Sequence, residues 1–271
     1  VNPSGRSCSL YEPFAGSAAV GLCALGIDRT PFPWRGAKTF FADDTLAVLA
    51  PGPVEHVHLS DAGLPGVVWG TLLSSGPAVI AALDKMADAP CEETWRRLAD
   101  EPVPDDPARF SATYILLMAG VVGAKPVSVR DGRWRTAGYA SLSPLAVQKG
   151  FRQRFSPARL AARVAKVVQA PGLRCITARR CDVRDALPPG RLDGDVVYLD
   201  PPYGGGYPDD CPLDVVLDIA RDAKARGARV GVAFDRPLDL PGAKATRLHR
   251  RGWQKENFAA GAGKQEWLTC L

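Results

Sequence analysis

The chain is poor in the residues that build metal and redox centres. It has three histidines and two methionines, and its seven cysteines (Cys8, Cys23, Cys91, Cys175, Cys181, Cys211 and Cys270) form an odd, scattered set without a CxxC pair. That pattern argues against a structural zinc site or a disulfide framework and leaves reduced thiols as small core residues. No apolar run is expected to approach the length of a membrane span, and the N-terminal residues lack a charged segment followed by an apolar core and cleavage site. A cytoplasmic location without a membrane partner is the expectation. No tract is repetitive or low in complexity, and no obligate protein partner is evident. With 46% hydrophobic and 23% charged residues, 271 residues suit one large domain or one domain with a sizeable insertion.

Acidic residues are almost missing from one stretch. From Lys125 to Arg180 there are 13 Lys or Arg and one acid, Asp131, whereas Asp84 to Asp106 holds eight acids against three bases. So one-sided a run is either a solvated face or a surface for a polyanion, and a nucleic-acid backbone is the favoured partner. Within it, Gly132 to Tyr139 interleaves bases and aromatics, making Arg133, Trp134, Arg135 and Tyr139 candidates for phosphate contact and base stacking. The competing reading is an ordinary hairpin with Trp134 tucked into the core. A helix over Phe151–Val168 adds Arg152 and Arg154 to the basic surface.

Two stretches carry the chemistry. The first, Ser9 to Gly26, reads as a strand, a glycine turn (Glu12-Pro13-Phe14-Ala15-Gly16-Ser17) and a helix, the opening of a nucleotide-binding half-fold. It lacks the full GxGxxG, so a dinucleotide is not the expected ligand. Gly16 lets the backbone approach a ligand, Ser17 is placed to cap the helix, and Glu12 offers a carboxylate. The next strand, Val54–Asp61, alternates apolar and polar residues and ends in an acid. Asp61 is then the receiver for ribose hydroxyls, or else the cap of a helix starting near Leu64.

The second stretch is Asp195 to Tyr207, DVVYLDPPYGGGY. A buried strand runs into Asp200-Pro201-Pro202-Tyr203, where two prolines fix φ and remove backbone donors, giving a stiff corner. An acid and a ring held at the carboxyl end of a strand suit a planar polar group. Further strands are expected at Leu173–Thr177, followed by Cys181-Asp182, at Arg229–Phe234, Thr246–His249 and Gln265–Leu271. Helices are expected over Thr39–Ala50, Phe110–Val122 and Leu213–Arg226.

EPFAGS and DPPY, in that order with a large insertion between them, resemble the Dam-like adenine-N6 DNA methyltransferases. The likeness is specific at Tyr11 to Ser17, at Ser60-Asp61 and at Asp200 to Tyr203. It implies a Rossmann-like α/β methyltransferase sheet from residues 1–65 and 170–271, with 66–169 as an inserted, mostly helical, basic DNA-recognition region. It implies S-adenosylmethionine held by Tyr11, Glu12, Pro13, Phe14, Gly16, Ser17 and Asp61, with Asp182 near its adenine. Asp200, Pro201, Pro202 and Tyr203 would act on the N6 amine of an adenine flipped out of double-stranded DNA, without a metal. The family's WxGGK loop precedes its EPF motif. Here Trp34-Arg35-Gly36-Ala37-Lys38 follows it, so Lys38 is either a permuted equivalent or a coincidence. Cytosine-N4 or ribosomal-RNA amino-methylation, transfer of a larger group, and a catalytically inactive nucleic-acid-binding relative are the alternatives.

Overall fold

The computed structural model describes residues 8–33, 39, 41–50, 52–86, 91–121, 126–137, 156–202, 211–248 and 266–271. The main sheet takes β1 (Cys8–Glu12), β2 (Val54–Asp61), β5 (Ile176–Arg180), β6 (Val196–Leu199), β7 (Arg229–Phe234), β8 (Lys244–Arg247) and β9 (Trp267–Cys270). Its order is β5-β2-β1-β6-β7-β9-β8. The five strands from β5 at one edge to β7 run parallel, and β9 lies antiparallel between β7 and β8. Setting β9 aside, the other six follow the doubly wound order 3-2-1-4-5-6. A separate hairpin pairs β3 (Ser128–Arg130) with β4 (Arg133–Arg135).

Seven helices accompany the sheet among the described residues: α1 (Ala19–Ala24), α2 (Ala42–Leu49), α3 (Leu64–Asp84), α4 (Cys91–Asp100), α5 (Pro107–Gly120), α6 (Pro157–Val168) and α7 (Leu213–Ala225). The first face of the sheet presents Leu10, Val57, Leu59, Ile176, Val196 and Tyr198 to a core shared with residues from all of α1 to α6. The second presents Val197, Leu199, Val230 and Val232 to Val216, Ala220 and Ala223 of α7.

Among the described residues, that second face is covered by a helix over β6 and β7. Across β1, β2 and β5 it carries Tyr11 and His58, half-buried, with His56, Thr177 and Arg179 exposed. The polar alternation of β2 follows, because a parallel strand buried on both faces would read as continuously apolar.

α3 corrects the expectation that no apolar run reaches a membrane span. Among the described residues it alone is long and apolar enough, at 21 residues with a mean hydropathy of 1.5 in its most apolar window. Gly, Ser, Thr and Pro interrupt its sequence and disguise its length. It packs against α5, α6 and β5. Pro77 removes an internal donor, and the helix breaks step at Ser75 (φ −144°, ψ 30°). Gly76 lets α6 approach, since a Cβ there would lie 2.6 Å from Val168 Cγ1. The boundary expected at residue 66 therefore falls inside a helix seated on the sheet, and the helices of 66–169 share the sheet's core.

Several elements start later than expected, α2 at Ala42 and β9 at Trp267 among them, and two show why. Pro171 to Cys175 form a 3-10 turn, and β5 begins at Ile176. Gly172 sits where a Cβ would lie 3.0 Å from Leu25, so the chain is bent to fit the end of α1. α6 begins at Pro157, because the Ser156 hydroxyl caps it by accepting the Arg159 N–H at 3.3 Å.

Candidate active site

β1 lies between β2 and β6 and pairs in parallel with both. From it the chain order runs outward in both directions, so the crevice at its carboxyl end is the topological switch point where open α/β sheets bind ligands. With Leu10 beside Val196 and Tyr11 beside Val197, the two chemistry-bearing stretches leave the sheet next to each other on one edge. Gly16 and Asp200 share that edge.

The turn after β1 is tied down on three sides. The Ala15 N–H donates to the Ser60 carbonyl at 3.0 Å, and the Gly16 N–H donates to Asp61 Oδ2 at 3.0 Å. The Trp69 indole N–H of α3 donates to the Gly16 carbonyl at 3.0 Å. Gly16 adopts φ 46°, a conformation only glycine enters freely, and Ala18 adopts φ 56°. An alanine in the left-handed region costs about 1–2 kcal/mol, which these ties must hold in place.

Asp61 ties the end of β2 to two neighbouring backbone segments. Oδ1 accepts the Gly63 N–H at 2.8 Å at the start of α3, while Oδ2 holds Gly16. Gly66 makes this junction possible, because a Cβ there would lie 2.4 Å from the Asp61 carbonyl oxygen and 3.0 Å from Arg180 Cα.

Glu12 closes β1 and is 4% exposed. Its Oε2 accepts the Gly21 N–H from α1 at 2.9 Å. Burial pushes its carboxyl up to about 8, with the Gly21 N–H opposing and the negative charges of Asp200 and Asp61 adding to the rise. Three carboxylates thus converge on one mouth. Deeper in, Tyr114 of α5 is fully buried, and its hydroxyl has no hydrogen-bond partner among the described residues. Burial, and then the charge of Asp61, push that phenol well above its usual range.

Several expectations need correction. Ser17 does not cap α1: its hydroxyl is buried without a hydrogen bond among the described residues, and Ala18 occupies the cap position. Tyr11 lies within β1, next to Glu12, its ring stacked on His58 with centres 4.6 Å apart. Trp134 is buried against Phe110, ring centres 5.2 Å apart, so it anchors the hairpin and is unavailable for stacking on a base. Arg133 and Arg135 project from the opposite, exposed face of β4, beside exposed Arg130 of β3.

Pro13, Phe14, Pro201 and Pro202 line the two chain exits, Pro201 buried and Phe14 packed toward the second core. Asp182 follows β5 and caps a 3-10 turn, accepting the Arg184 N–H at 2.9 Å and pairing with that residue's guanidinium at 3.2 Å. Lys38, Tyr139, Arg152, Arg154 and Tyr203 lie outside the described residues. Sequence reasoning missed Trp69, Gly21 and Gly66. The available signal was a tryptophan three residues after a helix-opening Pro-Gly, since a buried indole must find an acceptor for its N–H.

No protein-family model matches the chain, and no curated protein matches it at a significant level.

Proposed function

We propose that the protein is an S-adenosylmethionine-dependent methyltransferase acting on the exocyclic N6 amine of adenine in double-stranded DNA, working in the cytoplasm. One observation carries the reading: EPFAGS and DPP, 188 positions apart counting from Glu12 to Asp200, leave the sheet side by side at its switch point. The donor set suits the cofactor, because a mouth lined by the carboxyl groups of Glu12, Asp61 and Asp200 favours a cation. In this reading Gly16, Glu12 and Asp61 hold the donor, with Asp182 toward its adenine. When bound, S-adenosylmethionine supplies an electrophilic methyl on a sulfonium that leaves as a neutral thioether.

An exocyclic amine is a poor nucleophile because its lone pair is delocalised into the ring. The Asp200 carboxylate would accept a hydrogen bond from that amine, drawing the nitrogen toward tetrahedral geometry and stabilising the positive charge that grows on it. Pro201 and Pro202 fix where the carboxylate stands, so little reorganisation accompanies the reaction. A paired adenine hides its N6, which requires the base to leave the stack. The exposed guanidinium groups of Arg130, Arg133 and Arg135 would grip the phosphates.

The test is incubation with labelled S-adenosylmethionine and DNA or RNA, followed by nucleoside mass spectrometry. N6-methyladenine in DNA is expected, lost in Asp200→Ala while cofactor affinity survives. Label on another base or on RNA would redirect the substrate assignment, and wild-type turnover by Asp200→Ala would remove the catalytic one.

A further inference from the structure

Two buried hydroxyls near the tied turn after β1 have no partner in the protein. Ser17 follows Gly16, and Tyr114 lies on α5. Both residues are at most 1% exposed, and neither hydroxyl makes a hydrogen bond among the described residues. Thr45, Thr94, Ser111 and Thr113 also carry unpaired buried hydroxyls, but each is a short side chain within a helix, close to the carbonyls of its own preceding turn. A phenol projects past its own helix backbone and must find its partner on another element, as buried tyrosines ordinarily do.

Aromatic packing sets where the phenol stands. The Tyr114 ring meets Phe32 edge-on with centres 5.6 Å apart, and Phe32 lies 6.5 Å from the Trp69 ring. Trp69 in turn donates its indole N–H to the Gly16 carbonyl at 3.0 Å, so three fully buried rings stand behind the turn. Of the described charged groups, Asp61 alone bears on the phenol, and Asp61 Oδ2 is the acceptor of the Gly16 N–H. The hydroxyl therefore looks toward the junction of Gly16 and Asp61, the place where the crevice begins. A buried hydroxyl without a partner forfeits its hydrogen bonds to water, a cost that phenylalanine would not carry. Nothing in the ligand-free protein repays it.

We propose that Tyr114 is a cofactor-binding residue whose hydroxyl donates a hydrogen bond to a ribose hydroxyl oxygen of the bound donor. Charge selects the ligand atom. The neighbouring Asp61 repels a carboxylate, which excludes the amino-acid end of the cofactor, and the adenine is directed toward Asp182. The ribose supplies neutral oxygens that accept from a phenol. This inference rests on the cofactor reading above and deepens it: α5, inside the stretch that the sequence suggests as a DNA-recognition insertion, completes the cofactor site.

S-adenosylmethionine, S-adenosylhomocysteine and the 2′-deoxy and 3′-deoxy forms of the latter are titrated calorimetrically into the full chain and into Tyr114→Phe. Thermal unfolding of both proteins is followed without ligand. Tyr114→Phe should unfold at the wild-type temperature or above it, because no bond within the protein is lost. It should bind the two intact ligands about three- to tenfold more weakly, the range for one neutral hydrogen bond. For the deoxy ligand that lacks the partnered oxygen, variant and wild type should bind equally. Unchanged affinity for the intact ligands would overturn the proposal and leave the cofactor reading intact. A lowered unfolding temperature or a failure to fold would make the hydroxyl structural and would also overturn it, as would an equal loss for all four ligands. No binding of S-adenosylmethionine or S-adenosylhomocysteine by the wild type would remove both.

Discussion

A neutral buried acid can be tested without any ligand. Glu12 has an ordinary value of 4.5 and is raised to about 8 in the folded chain. Between those values the folded protein holds a proton that the unfolded chain has released. Stability attributable to this group is therefore greatest below pH 4.5, falls as pH rises, and levels off above about 8. Each unit of difference is worth about 1.4 kcal/mol, so from pH 5 to pH 8 the fall is about 4 kcal/mol. That is a large fraction of the roughly 5–15 kcal/mol of a typical domain. Glu12→Gln keeps the shape and an acceptor for the Gly21 N–H but cannot ionise. Urea unfolding of both proteins at pH 5, 6, 7, 8 and 9 should give a stability difference that moves in favour of the variant as pH rises, by about 4 kcal/mol over the first three units. Other titrating groups are common to both proteins and largely cancel. Parallel curves across that range would show that Glu12 is ionised throughout and would refute the reasoning.

Gly66→Ala should destabilise the chain by about 1–3 kcal/mol and weaken S-adenosylmethionine binding, because its Cβ would strike strand backbone that cannot yield; thermal unfolding and calorimetry check both effects. Arg133→Ala with Arg135→Ala should weaken DNA binding and lower the slope of log affinity against log salt by about 2. Trp134→Phe should reduce stability while leaving DNA affinity unchanged under conditions where the variant is folded, and a loss of affinity there would return Trp134 to the interface.

The strands were the most legible part of the sequence. Val54–Asp61 and Arg229–Phe234 have the bounds their residues suggest. The juxtaposition of the two stretches was legible too, because a glycine turn and a proline-stiffened acid each follow a strand, and parallel strands put such turns on one edge. What failed depended on close approaches between distant segments. Nothing local in Leu173–Thr177 shows that Gly172 must pass within contact of Leu25. Ser17 has the chemistry of a cap, but the turn's ties to Ser60, Asp61 and Trp69 place Ala18 there. The choice for Trp134 between core and interface was decided by Phe110, more than twenty positions away. Alternation in a short strand does show which side chains share a face, and here it put the arginines opposite the tryptophan.

Asp61 shows why a ligand role and a structural role must be separated by measurement. A carboxylate at the end of the second strand is placed to receive ribose hydroxyls, yet both its oxygens already accept backbone N–H groups, from Gly63 and from Gly16. Removing it would leave two part-buried donors to find other partners and release the turn that keeps Gly16 and Ala18 at positive φ. Hydrogen bonds to a charged group are each worth about 1.5–3 kcal/mol. Asp61→Ala should thus destabilise the protein by a few kcal/mol before any ligand is added, in addition to weakening S-adenosylmethionine. A loss of affinity with unfolding unchanged would mean that Asp61 serves the ligand alone and that Ser60 and Trp69 suffice to hold the turn. A loss of stability with affinity unchanged, measured where the variant is fully folded, would assign the ribose to another acceptor. Only a loss of both matches a carboxylate that builds the cradle and also faces into it.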